Sequence, residues 1–154
     1  VESESRSFGI LNMTRPSKRD LTLNNVVITG SARTNAWGLY SQTGGQVIGR
    51  NVDISMVSSG SSIGVFIDTA LHEPPANVQF EGTRTKRGII KSESNGQNSF
   101  PVGFNLVNSK LDLSYYDVTA INSVNPVNKA AITTQYGGGL VGNEENTFDP
   151  PYNP

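Results

Sequence analysis

The sequence predicts an all-β protein: a right-handed parallel β-helix, wound as a single-stranded solenoid of about four to five coils. Three observations carry that prediction. Short motifs recur at a fixed step of about 26 residues, a spacing typical of solenoid repeats. Strand-length segments with alternating apolar positions are separated by Gly-, Ser- and Pro-rich turns. The composition, with 16 Gly and abundant Asn, Ser and Thr, favours turns and strands over helices.

The repeat is the primary signal. Asn25-Val26-Val27-Ile28 recurs as Asn51-Val52-Asp53-Ile54 and, after an equal step, as Asn77-Val78-Gln79-Phe80. Gly38-Leu39-Tyr40 recurs at the same step as Gly64-Val65-Phe66, and Gly9-Ile10-Leu11 is an earlier copy slightly out of phase. Gly103-Phe104-Asn105-Leu106 with Asp117-Val118-Thr119, and then Ala131 to Gly138, fit later coils. The step from Gly64 to Gly103 is half as long again as the others. An insertion is therefore expected around Thr83 to Pro101, unless Gly88-Ile89-Ile90 is itself the Gly-strand of a short coil.

Side chains alternate between the two faces of a strand, and stacked coils repeat about every 4.8 Å. The motif then predicts inner ladders Val26/Val52/Val78, Ile28/Ile54/Phe80 and Ile10/Leu39/Val65/Ile132. It also predicts an outer row Val27/Asp53/Gln79. One coil cannot bury its own apolar face, so its neighbours must supply the core. An antiparallel sandwich would suit strands at this spacing. Two motifs that share one step favour the solenoid.

The 154 residues fit a single domain spanning 1–154, with coils over about 9–142 and a Pro-rich cap or exit tail over 143–154. Pro cannot donate to a ladder, so Asp149-Pro150-Pro151-Tyr152-Asn153-Pro154 stops strand addition. The ends of so short a stack are open sheet edges. The chain starts Val1-Glu2-Ser3-Glu4 without Met, and reads as a processed or excised piece of something longer.

Twelve Lys+Arg against thirteen Asp+Glu give a net charge of −1, too balanced for a nucleic-acid surface or an anionic-membrane binder. No apolar run approaches a membrane span, so no membrane insertion is expected. The chain has no Cys, which excludes disulfides and thiol chemistry, and a single His, His72, which excludes a His-rich metal site. No cofactor, metal or catalytic residue is assigned.

Trp37-Gly38-Leu39-Tyr40-Ser41-Gln42-Thr43-Gly44-Gly45-Gln46-Val47, followed by Asn51-Val52-Asp53-Ile54, Ser59-Gly60-Ser61 and Gly64-Val65-Phe66, resembles the passenger domains of Gram-negative autotransporters, β-helices of the pertactin type. Phage tailspike and tail-fibre β-helices share much of this style. The resemblance covers residues 36–82 well and 103–142 loosely. It implies a secreted module of a cell or virion surface. Passengers commonly act in cell adhesion and virulence; tailspikes bind and often cleave polysaccharide. The expected partner is a cell-surface glycan or protein receptor, with a homo-oligomer, a trimer if tailspike-like, as a further expectation. A polysaccharide hydrolase or lyase and a structural spacer or decoration subunit remain as alternatives.

Three aromatic residues are the candidate ligand-binding site. Tyr40 and Phe66 occupy the same slot one coil apart, on the face opposite inner Leu39 and Val65, with Trp37 close by. Stacked outward rings hold sugars, form a subunit contact or lie under another part of the chain. Gly60-Ser61-Ser62-Ile63-Gly64 matches a nucleophile-elbow pattern but lacks the helix that motif needs. Glycosidic cleavage needs paired carboxylates. Of Asp53, Asp68, Glu73, Glu81, Asp112 and Asp117, only Asp112 and Asp117 share one coil in a way that lets them converge. Asp68 is expected one coil above Gln42. Arg84-Thr85-Lys86-Arg87 is a basic cluster suited to an acidic glycan or to plain solvation. Asn12-Met13-Thr14 is a glycosylation sequon by pattern.

Overall fold

A computed structural model of the chain describes residues 6–13, 20–42 and 45–153. Thr14 of the sequon and Thr43-Gly44 of the first Gly-Gly turn lie outside the described residues. The chain winds through five coils of three strands. Coil 1 holds β1 (Ser7–Met13), β2 (Leu21–Asn24) and β3 (Val27–Ala32), and coil 2 holds β4 (Ala36–Gln42), β5 (Val47–Arg50) and β6 (Asp53–Ser58). Coil 3 holds β7 (Ser62–Asp68), β8 (Ala76–Glu81) and β9 (Gly88–Ser94). Coil 4 holds β10 (Val102–Val107), β11 (Ser109–Ser114) and β12 (Tyr116–Asn122); coil 5 holds β13 (Ala130–Gln135), β14 (Gly139–Glu144) and β15 (Thr147–Asp149).

Every third strand joins the same sheet. The result is three five-stranded parallel sheets: A (β1-β4-β7-β10-β13), B (β2-β5-β8-β11-β14) and C (β3-β6-β9-β12-β15). The fold is a β-solenoid of about five turns, with no helix among the described residues. Its core is the column enclosed by the three sheets. The inner rungs of sheet A run Ile10, Leu39, Val65, Phe104, Ile132, as the repeat predicts with Phe104 completing the ladder. Sheet B contributes Leu21, Val47, Val78, Leu111, Leu140, and sheet C contributes Ile28, Ile54, Ile90, Val118, Phe148.

The repeated glycine has a steric cause. Trp37 and Leu39 pair with Ile63 and Val65, but the Gly38 and Gly64 between them drop out of the ladder. At that point the in–out alternation slips, so Ala36 and Leu39 are both buried while Trp37 and Tyr40 both face out. A β-carbon on Gly38 would meet the Cγ2 methyl of Ile54 and the carbonyl oxygen of Gly64. Gly9, Gly64 and Gly103 face Ile28, Ile90 and Val118 in the same way. Sheet A thus lies against the branched side chains of sheet C with no room for a side chain between them.

The corner from sheet B to sheet C turns on one left-handed residue in four coils: Asn25, Asn51, Tyr115 and Glu145, with φ between 51° and 56°. Asn tolerates that conformation best among residues with a side chain. The Asn51 carboxamide donates to Asn25 Oδ1 at 3.2 Å, continuing the stack into the side chains. At coil 3 the corner is instead a loop, residues 82–87, whose Gly82 amide still donates to the Ser114 carbonyl at 2.8 Å.

Coil 3 corrects the reading of the repeat. Asn77-Val78-Gln79-Phe80 is not a third copy in sheet C. It lies in β8 of sheet B, where Val78 pairs with Val47 and Phe80 with Gly49. The partner of Ile54 is Ile90, and the outer row passes from Val27 to Asp53, whose carboxylate accepts the Ile89 amide at 3.0 Å, and not to Gln79. Val26 and Val52 sit at corners outside the ladders. Gly88–Ser94 is neither an insertion nor the Gly-strand of a short coil: it is the sheet C strand of coil 3. The extra residues are spread over all three corners, as loops 69–75, 82–87 and 95–101. In the 143–154 stretch, β15 adds a rung to sheet C, and Phe148 and Tyr152 pack against the core with ring centroids 6.0 Å apart.

Candidate functional site

The outer face of sheet A gathers the aromatic residues. Because of the slip at each glycine, two outer columns stand side by side. One is Phe8 beside Trp37, and the other is Tyr40 beside Phe66. Phe8 and Trp37 have centroids 4.8 Å apart, Trp37 and Tyr40 5.4 Å, and Tyr40 and Phe66 4.9 Å at 37°. These are favourable tilted and offset separations. The Arg6 guanidinium lies 5.4 Å from the Trp37 ring centroid, a cation–π arrangement. All four rings are partly exposed. The indole N–H of Trp37 is buried and meets no acceptor among the described residues.

A polar edge borders this shelf. The Tyr40 hydroxyl donates to Asp68 Oδ2 at 3.4 Å, and the Gln42 amide donates to the same oxygen at 3.0 Å and to the Tyr40 hydroxyl. Asp68 stands one coil above Gln42, as the repeat implies. The structure therefore brings the three sequence candidates, Trp37, Tyr40 and Phe66, into one cluster and adds Phe8, Arg6, Gln42 and Asp68. Phe8 was findable: it precedes Gly9 as Trp37 precedes Gly38.

The other candidates disperse. Ser62 is fully buried, its hydroxyl donating to the Met56 carbonyl at 3.0 Å, whereas His72 is exposed beside Glu73 at 3.9 Å. The Gly60–Gly64 pattern runs from a corner into the start of β7, where Ser62 faces inward. Asp117 is held by Arg87, with Nε at 2.9 Å and Nη2 at 2.8 Å, and accepts from the Thr147 hydroxyl. The Arg87 hydrogen bond keeps that carboxyl below its ordinary range; burial opposes this and Thr147 assists. Glu81 accepts from Arg50 at 3.2 Å and from Gln79 at 2.7 Å. Asp112 lies on sheet B and Asp117 on sheet C, each facing outward from its own sheet. The basic cluster is also divided: Arg84 reaches Glu145 at 3.7 Å while Arg87 binds Asp117. No group of three His, Asp or Glu side chains able to hold a metal ion occurs among the described residues.

Comparison with protein-family models, with curated proteins and with solved structures finds no match to this chain. What the geometry defines is a class: a three-sheet parallel β-solenoid that presents an aromatic shelf with a hydrogen-bonding edge on the outer face of sheet A.

Proposed function

We propose that this chain is a surface-binding module that takes a saccharide on the shelf formed by Phe8, Trp37, Tyr40 and Phe66. The observation that carries this reading is the pairing of ring faces with a polar edge. The electron-rich faces attract the polarised C–H groups of a sugar ring. Gln42, Tyr40 and Asp68 at the border supply donors and acceptors for its hydroxyls. The resemblance to autotransporter passengers and tailspikes supports an extracellular, cell-surface or virion-surface setting, with a host or bacterial glycan as the partner. In this reading the module binds without cleaving.

Trp37 is the only Trp of the chain, so its fluorescence reports the site directly. Titration with neutral and acidic oligosaccharides is expected to give a saturable change for at least one of them. The double variant Tyr40→Ala/Phe66→Ala should abolish that change while keeping its β-sheet circular dichroism. A response left intact by the double variant, or none across the panel, would overturn the assignment.

A further inference from the structure

A second feature lies on sheet B, away from the shelf. Its outer face carries a cleft of about 250 Å³. Ile48, Gln79 and Asp112 form one column of successive rungs along the floor, and Asn77 and Lys110 form the next. The far end is shaped by a bulge. Leu111 pairs with Leu140 and Asp112 with Gly142, so Val141 is skipped. Val141 is left 64% exposed and lines the cleft. Bulges re-aim side chains in this way. A side chain on Gly142 would overlap the Asp112 carboxylate, so the glycine lets Asp112 lie across that strand.

The polar groups divide into committed and free. The Lys110 ammonium donates to the Gly137 carbonyl at 2.7 Å, and the Gln79 amide to Glu81 at 2.7 Å. The Asn77 carboxamide and the Asp112 carboxylate have no partner among the described residues. We propose that this cleft is a second carbohydrate subsite, which takes a neutral saccharide segment laid along the solenoid axis.

The chemistry selects that class. Asn77 offers a donor and an acceptor, and Asp112 accepts from hydroxyls. Lys110 and Asp112 cancel in charge, so the cleft favours neither a phosphate nor a cation. Ile48 and Val141 offer apolar contact for C–H faces at its two ends. From the Ile48 rung to the Gly142 rung is about 14 Å along the axis, room for an extended chain segment. Two subsites on one rigid scaffold raise the avidity for a repeating polysaccharide over that for a short fragment. The proposal shares the ligand class with the shelf but none of its residues.

The test uses the whole chain, isotope-labelled, with neutral tetra- to hexasaccharides of gluco, manno and galacto configuration, N-acetylated members, and a hyaluronan hexamer as acidic comparator. Trp37 fluorescence reads the shelf, and the side-chain amide resonances of Asn77 and Gln79 read the cleft. Saturable shifts of those amides with a neutral probe are expected, and in Asn77→Ala/Asp112→Ala, where Gln79 is the remaining cleft reporter, binding should weaken about tenfold or more, with Trp37 unaffected. Asp112→Asn alone, which keeps shape and removes the charge, should weaken them less. If Trp37 responds while the cleft amides stay still, the cleft proposal falls and the shelf stands. Cleft shifts with a silent Trp37 would uphold the cleft and remove the shelf. A preference for the hyaluronan hexamer at the cleft would overturn its neutral class, and silence at both reporters across the panel would overturn both assignments.

Discussion

The phenol oxygen of Tyr116 in coil 4 accepts a hydrogen bond at 3.1 Å from the backbone amide of Val52, two coils away. Between them lies Gly88, the rung partner of Tyr116, where any side chain would strike the tyrosine ring. The corner of coil 3 is a loop, and the ring spans the space that loop leaves. Phe80 and Phe104 meet at 5.4 Å, and Phe80 and Tyr116 at 5.8 Å, both edge-to-face.

Tyr116→Phe keeps the ring and orphans the Val52 amide. An unpaired buried donor costs about 1–3 kcal/mol. Chemical denaturation should show a loss of that size, and hydrogen exchange at Val52 should accelerate.

The same residue sets an alkaline limit. Burial raises the Tyr116 phenol to about 12. The unfolded chain ionises near 10, so the contribution is complete below that pH and is lost as pH rises towards 12. The decline should be on the order of 2–3 kcal/mol, and Tyr116→Phe should flatten that part of a pH–stability profile.

Asp117 works in the opposite direction. Its lowered carboxyl favours the folded state above the usual carboxylate range near pH 4, and the benefit is lost as pH falls through its lowered value. Both partners are partly exposed, so Asp117→Asn should cost only about 0.3–1 kcal/mol at neutral pH. The difference in melting temperature from the native chain should shrink on acidification.

Gly64→Ala should destabilise by about 1–3 kcal/mol, because its methyl would meet Ile90 and the Gly103 carbonyl. Gly139→Ala is the matched control: a β-carbon there meets nothing within 4 Å, and the change should be near neutral. Equal losses from the two substitutions would refute the steric account of the ladder.

Tyr115 turns its corner at φ 56°, where Asn25 and Asn51 stand in coils 1 and 2. Tyr115→Asn should gain stability of about 1 kcal/mol from relieved backbone strain, less the hydrogen bond from its hydroxyl to Glu144. Thermal unfolding of the two proteins checks the sign.

The solenoid was legible because glycine, aliphatic and aromatic slots repeat in the strands, where packing fixes them. The ladder Ile10, Leu39, Val65, Ile132 and the Tyr40–Phe66 pair both follow from that. Asn77-Val78-Gln79-Phe80 misled because period-two alternation looks alike in sheet B and sheet C. Only the length of loop 69–75 decides between them, and a corner's length is not written in any strand. The polar edge of the shelf was half legible: Gln42 below Asp68 follows from the step of the repeat, whereas the reach of the Tyr40 hydroxyl depends on the rotamer. The cleft on sheet B was hidden, since it needs the bulge at Val141 and the true partner of Gln79.

The glycines of sheet A recur at unequal intervals along the chain yet fall in one straight file. The molecule measures itself by strands and leaves the corners uncounted. New segments can therefore enter at a corner during descent without disturbing the rungs on either side. Coil 3 has three long corners and still keeps its rungs in line with its neighbours, so those corners are where related chains should differ most.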